Sequence, residues 1–396
     1  MSNNHASWKK PFLVLTLILI LSGLPFSHPI QSGSDYYPGK GDRWEKRTPS
    51  DLGLDPELLQ AAVDFAHECG WQGPKDLNIP IKQAFSREPF GAIIGPVRER
   101  GETNGIILKK GYIAAEWGDT RRVDMTFSAT KSYLSTTAGL AWDAGLIEGI
   151  HDPVNIYVTD GRFDSEHNAK ITWHHLLNQS SDWSGTLWDK PDWGDRPPRD
   201  VKWDDLRNRP LREPGTSYKY NDVRVNLLAY ALLQVWREPL PRILKEKIMD
   251  PIEASPTWRW HGYRNSWVNV DGLKMQSVSG GGHWGGGMFI STRDHARFGL
   301  LFLRKGVWKG KHLLSEKWIE MLQAPSPANP SYGYMWWLNT AQKQLPSAPA
   351  SVYYAAGFGG NYVVVDNEHD LVIAVRWIGD TRNLNGIIER VLAAVK

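Results

Sequence analysis

Ser128-Ala129-Thr130-Lys131 places a hydroxyl and an amine three residues apart, where a polar loop gives way to an apolar run. Residues i and i+3 of a helix share a face, so the two side chains can touch. Serine is a weak nucleophile until a neighbouring base takes its proton. Lysine can be that base only where burial or a nearby cation favours its neutral form. The run that follows (Tyr133, Leu134, Ala138, Leu140, Ala141) is apolar on more than one side, as in a helix inside the protein. A buried helix start supplies desolvation and backbone N–H groups for an oxyanion. The pair therefore suits acyl transfer. The tetrapeptide alone decides little, because Ser7-x-x-Lys10 repeats it in a targeting segment.

Two other stretches have chemical potential. Pro214 to Asp222 is a Pro-Gly turn running into an aromatic-rich segment before an apolar helix. Tyr220 in it could pass a proton between serine and leaving group, or simply pack its ring. Tyr354 to Tyr362 embeds glycines in a strand pattern. Such glycines mark a bulge, a tight crossing or close approach by a ligand, where exposed N–H groups can hold an oxyanion.

The elements that would position these residues follow from periodicity. Asp55–Gly70 reads as a helix, Ile106–Leu108 and Tyr112–Trp117 as strands around a Lys110-Gly111 turn, and Trp173–Asn178 and Asn221–Trp236 as helices. Near the C-terminus, Tyr334–Leu338, Val352–Ala356, Tyr362–Asp366 and Leu371–Trp377 read as strands, with a last helix over Asn383–Val395. The fold class is α+β: one antiparallel sheet built from both termini and flanked by helices, with a mostly helical middle. Residues 51–396 form the main domain, its α/β part 51–127 and 275–396 and its helical part 128–274.

The totals narrow the choices. With 41% hydrophobic residues, 22% charged residues and a net charge of +3 over 396 residues, the chain suits a globular protein and gives no sign of nucleic-acid binding. The single cysteine, Cys69, excludes an intrachain disulfide and a cysteine-based metal cluster. Many of the 20 tryptophans fall in loops, including Trp188; packing and an aromatic-walled substrate cleft both account for them. Lys9-Lys10 before the apolar run Phe12–Leu21 predicts a signal peptide or N-terminal anchor over 1–28, followed by a linker over 29–50. The expected location is extracytoplasmic, periplasmic or secreted, with a membrane tether the alternative to cleavage.

Gly280-x-Gly282-x-x-Gly285 matches a dinucleotide fingerprint, but no strand leads into it and no acidic residue follows at the required distance. It reads as a turn beside the cleft, in which His283 either packs structurally or contacts substrate. His174-His175 point in different directions on a helix and no H-E-x-x-H occurs, so no metal or other cofactor is expected. The absence of G-x-S-x-G removes the α/β-hydrolase route.

Together, Ser128-x-x-Lys131, Tyr220-Asn221-Asp222 and the strand at Gly357–Gly359 resemble the ordered motifs of the penicillin-recognising serine hydrolases: class C β-lactamases, DD-peptidases and related esterases and amide hydrolases. The resemblance covers roughly Leu52 to Lys396 and is nearest the 6-aminohexanoate-oligomer hydrolase and carboxylesterase-like branch. It implies a β-lactamase/transpeptidase-like fold, no cofactor, a small ester or amide substrate, and an acyl-enzyme. Ser128 is the implied nucleophile, Lys131 its base and Tyr220 the proton relay. The N–H groups of Ser128 and Gly360 are the implied oxyanion hole, with Gly359, Asn361, Asp222 and Trp188 as further oxyanion- or substrate-binding candidates.

Two positions depart from the family. Asp222 replaces an asparagine, so an acceptor-only carboxylate stands where an amide would donate. Pairing with Lys131 would oppose that lysine's work as a base, so Asp222 is expected to bind a substrate cation, meet another partner or point away. Gly357 stands where Lys or His would meet a β-lactam carboxylate. Both changes favour an ester or simple amide over penicillin. The alternatives are a catalytically weak cell-wall or ligand-binding protein on the same fold, or a true β-lactamase or DD-peptidase.

Overall fold

The computed structural model describes residues 35–396, and those from Tyr36 onward pack as one unit. The segment 1–28 lies outside the described residues, as does the start of the expected linker. Among the described residues, no helix is long and apolar enough to cross a membrane.

In chain order the first elements are α1 (Pro56–Glu68), α2 (Asn78–Ala84), β1 (Asn104–Lys109), β2 (Tyr112–Trp117) and β3 (Asp124–Met125). Next come α3 (Thr130–Asp143), α4 (Trp173–Leu177), β4 (Thr186–Leu187), β5 (Lys190–Pro191), α5 (Trp203–Arg207), α6 (Asp222–Trp236) and α7 (Leu240–Leu244). The hairpin β6 (Arg259–Val270) and β7 (Leu273–Val278) precedes β8 (Gly287–Ile290), α8 (Thr292–Leu303), β9 (Val307–Trp308), β10 (Lys311–His312) and α9 (Glu316–Leu322). The chain ends with β11 (Trp337–Leu338), β12 (Tyr353–Gly357), β13 (Asn361–Asp366), β14 (Leu371–Arg376) and α10 (Thr381–Ala393).

The main sheet has six antiparallel strands in the order β11-β12-β13-β14-β1-β2, so strands from both ends of the chain meet at β14 and β1. β13, β14 and β1 are buried on both faces, which explains their near-continuous Val/Ile/Leu composition. One face packs on α8, where Gly299 lets the helix approach Val363 and Val372. The other carries α1 and α10 over Leu59, Ile107, Ile373 and Ile387.

Two expectations are corrected. Residues 36–50 do not form a linker: Trp44 is buried with its indole N–H on Gly111 O at 2.9 Å, and Lys46 bridges to Ile113. The middle region is less helical than predicted, because β6 and β7 join β3 and β8 in a second sheet of order β3-β8-β6-β7. Gly262 and Ser266 interrupt the period-two pattern of β6, where the register shifts between Gly262 and Trp267.

The second sheet positions the turn that carries Ser128. β3 pairs with β8, Thr126 N–H donates to Met288 O at 2.9 Å, and Met288 N–H donates to Thr130 Oγ1 at 2.9 Å. Both sides of residues 127–129 are thereby tied to one strand.

Candidate active site

Ser128 sits in a 3₁₀ turn, Phe127–Ala129, that opens into α3. Phe127, just before it, has a left-handed φ of +49°, the kind of strained backbone found where a side chain must be presented. Every residue of α3 from Thr130 to Ala141 is buried, which desolvates Lys131. Lys131 Nζ lies 3.0 Å from Ser128 Oγ, and the serine hydroxyl also reaches Gly281 O at 3.5 Å.

Asp222 begins α6, where the helix N-terminus favours a carboxylate. Asn221 caps that helix, its Oδ1 accepting from Arg224 N–H at 3.1 Å, which fixes the next residue's direction. Asp222 does not point away, and it makes the pairing with Lys131 that its expected roles would have avoided. Its fully buried side chain accepts from Lys131 Nζ at 2.7 Å through Oδ1 and meets Arg196 Nη1 at 2.7 Å through Oδ2. Burial alone would raise the Asp222 carboxyl, but Lys131 and then Arg196 hold it well below the usual carboxylate range. The other partner is Arg196, which had no motif to mark it.

The cluster continues outward. Arg196 also donates to Asp195 Oδ1 at 2.7 Å and to His283 Nδ1 at 2.8 Å, and His283 Nε2–H donates to Glu88 at 2.8 Å. Burial keeps the His283 imidazole neutral, reinforced by Arg196. Burial, with Asp195 nearby, pushes the Glu88 carboxyl up to about 8. Glu88, Asp195 and His283 converge closely enough to hold a metal ion, but the guanidinium already supplies the positive charge to two of the three. The glycine turn expected beside the cleft closes on this cluster. A Cβ at Gly281 would overlap Asp222 Oδ1 and Lys131 Nζ.

Tyr220 presents its ring face to Lys131, with Nζ 4.5 Å from the ring centroid, and stacks on Trp337 at 5.8 Å. Ser128, Tyr220, Trp337, Tyr354, Gly357 and Phe358 line one cavity of about 320 Å³, and none of its lining side chains is charged. The structure thus brings Ser128, Lys131 and the ring of Tyr220 together.

The remaining candidates are placed differently. Gly360 N–H closes a turn onto Gly357 O at 3.2 Å, and a Cβ at Gly360 would run into the backbone of Ile378 and Gly379. Gly359 packs on Trp377 and Trp71. Asn361 is buried, donating to Phe358 O at 2.7 Å and accepting from Arg376 at 3.2 Å. Trp188 packs edge-on to Tyr230 at 6.0 Å and is not part of the cavity wall. A Cβ at Gly357 would overlap Thr126 O and stand 3.3 Å from Ala129 N, so no Lys or His fits there. That crowding suits the motif's glycine rather than its cation; with Gly357 as that glycine, the cation position would fall two residues earlier on Ala355, equally uncharged.

The family model described as Beta-lactamase matches residues 119–392, a span containing all three motifs. The chain belongs to the β-lactamase family. Its relatives are distant: an uncharacterized protein of Alkalihalophilus pseudofirmus is 22% identical over 275 residues, 63% of this chain and 71% of that one. Among solved structures, a family VIII carboxylesterase has a TM-score of 0.56 at 16% identity, with 82% of this chain and 99% of that one covered. A 6-aminohexanoate-dimer hydrolase assignment from Bacillus anthracis has a TM-score of 0.52 at 15% identity, covering 91% and 88%. These likenesses establish the β-lactamase/transpeptidase-like α+β fold.

Proposed function

We propose that this β-lactamase-family protein is a serine hydrolase that cleaves a small, uncharged ester or linear amide through an acyl-enzyme on Ser128. The observation that carries the reading is the 3.0 Å approach of Lys131 Nζ to Ser128 Oγ at the wall of an uncharged cavity. Ser128 Oγ attacks the carbonyl carbon while Lys131, in its neutral form, takes the hydroxyl proton. The C–O or C–N bond breaks as Tyr220 relays a proton to the leaving group, and water then releases the acid and restores Ser128.

Ser128 N–H and Phe358 N–H form the oxyanion hole in this reading. Phe358 follows the motif glycine, lines the cavity, and its N–H donates to no group among the described residues. Gly360, whose N–H is spent in the turn, is replaced in that role. The uncharged Ala355 and Gly357 leave a β-lactam carboxylate without its cation, which favours neutral esters and amides over penicillins.

A second reading, a protein that acylates slowly and binds more than it turns over, is favoured by one contact: Lys131 Nζ is paired with the Asp222 carboxylate at 2.7 Å. Turnover of p-nitrophenyl butyrate separates the two. Ser128→Ala is expected to lower turnover by at least several orders of magnitude and to abolish labelling by a fluorophosphonate probe. Turnover or labelling that survives in Ser128→Ala refutes the nucleophile assignment.

A further inference from the structure

A carboxylate fully buried against the lysine that must act as a base is a chemical conflict. Asp222 favours the charged lysine, and charged lysine cannot take a proton from Ser128. We propose that Arg196 is the positioning residue that resolves this conflict, clamping Asp222 from its far side so that Lys131 can release its proton. The inference rests on the acyl-enzyme reading of Ser128 and Lys131.

The geometry divides the carboxylate between two cations. Oδ1 takes Lys131 and Oδ2 takes Arg196, each at 2.7 Å. Asp195 lies directly beside this pair, accepting from the Asp222 backbone N–H as well as from Arg196. Without Arg196, the buried Asp222 carboxylate, with Asp195 beside it, would keep Lys131 as its cation in direct contact, which favours the ammonium form. A guanidinium cannot lose its proton at accessible pH, so its charge is permanent. It neutralises the carboxylates and repels a second positive charge nearby, and both effects favour neutral Lys131.

The chain is bent to bring this side chain in. Arg196 has a left-handed φ of +46°, a cost that persists only where surroundings hold it. Its guanidinium lies 5.1 Å from the Tyr220 ring centroid and 5.6 Å from that of Phe85. The asparagine expected at position 222 would need no such partner. Arg196 therefore explains how a family member can hold aspartate there.

Other groups face the same cluster. Ser128 and Tyr220 adjoin Lys131, His283 adjoins Arg196, and Glu88 closes the far end beyond His283. Lys190 and Lys219 act on the cluster without contacting Lys131, and Tyr263 lies near Asp222. Of these, Glu88 and Lys190 both change charge near pH 8, the carboxyl pushed up and the amine pushed down by burial, so both titrations have to be removed from any profile.

The test is the pH dependence of kcat/KM for p-nitrophenyl butyrate, measured in the parent and in Glu88→Gln and Lys190→Gln backgrounds, which remove the two other titrations near pH 8. Arg196→Gln is expected to move the acid limb to higher pH by about one unit or more, lowering the rate near neutrality roughly tenfold with recovery at higher pH. Arg196→Lys keeps a positive charge and shifts the limb less. Asp222→Asn, which does not depend on Arg196→Gln folding, moves the limb in the opposite direction. An unmoved limb in both Arg196→Gln and Asp222→Asn overturns the proposal, as does an equal loss of rate at every pH. Ser128→Ala run alongside separates the two levels. Activity in that variant sinks the acyl-enzyme reading, whereas an inactive Ser128→Ala with unmoved limbs sinks the role of Arg196 alone.

Discussion

Gly281 sets the scale at which this site tolerates change. Its backbone carbonyl receives the Ser128 hydroxyl at 3.5 Å, and its α-carbon lies so close to the Lys131–Asp222 pair that one methyl group would overlap both. Asp222 cannot retreat, because its other oxygen is held by Arg196 and its N–H by Asp195. Gly281→Ala should therefore push Lys131 away from Ser128, lowering kcat/KM by about a hundredfold or more, since small displacements of reacting groups have effects of that size. Activity within threefold of the parent would mean that the pair can shift without consequence. At this scale the sequence was legible where side-chain chemistry repeats a known spacing, as at Ser128, Lys131 and Tyr220. It was opaque where a role depends on a distant backbone. Nothing near Arg196 or Glu88 reveals that each meets His283. The one available signal was the aspartate at position 222, since a carboxylate beside a lysine that must work as a neutral base needs a cation from elsewhere.

At the level of elements, catalytic geometry depends on how closely β12 crosses the turn 127–129. Gly357 makes that crossing: any side chain there meets Thr126 O and Ala129 N. The strand is pinned on its other side by β13, with Gly357 opposite Asn361 in register. Gly357→Ala should force β12 away from Ser128 and carry Phe358 N–H out of reach of the carbonyl oxygen. Loss of one oxyanion donor costs about a hundred- to a thousandfold in kcat. Steady-state kinetics of the ester should therefore show the loss in kcat, with KM changed far less; a change confined to KM would remove Phe358 from the oxyanion hole. Strands β12, β13 and β14 were readable because they alternate or run continuously apolar between clear turns. The hairpin β6–β7 was not. Its first strand mixes Arg, Asn and Gly with Trp and Tyr, and its register break hides the period that would have identified it.

The described fold as a whole is overlaid by a strap, residues 36–50, that composition disguised as a linker. Residues 36–50 are polar and rich in Gly and Pro, yet Trp44 is only 7% exposed. Its indole donates to Gly111 O at 2.9 Å, and the Arg297 guanidinium stacks 4.8 Å from its ring. The same guanidinium reaches back to Gly39 O at 2.7 Å and Gly41 O at 2.5 Å, so α8 and the strap share one buried charge. Tyr36 stacks on Tyr112 of β2 at 4.0 Å, adding an aromatic contact at the sheet edge. Trp44→Ala removes the ring from under Arg297 and leaves a cavity, and buried Trp→Ala changes cost about 3–5 kcal/mol. The expected result is a lower urea midpoint at an unchanged m-value, because the same surface is exposed on unfolding. Ester turnover per folded molecule should stay close to that of the parent, since Trp44 is not part of the Ser128 cavity. A midpoint within experimental error of the parent would mean that residues 36–50 lie on the fold without stabilising it.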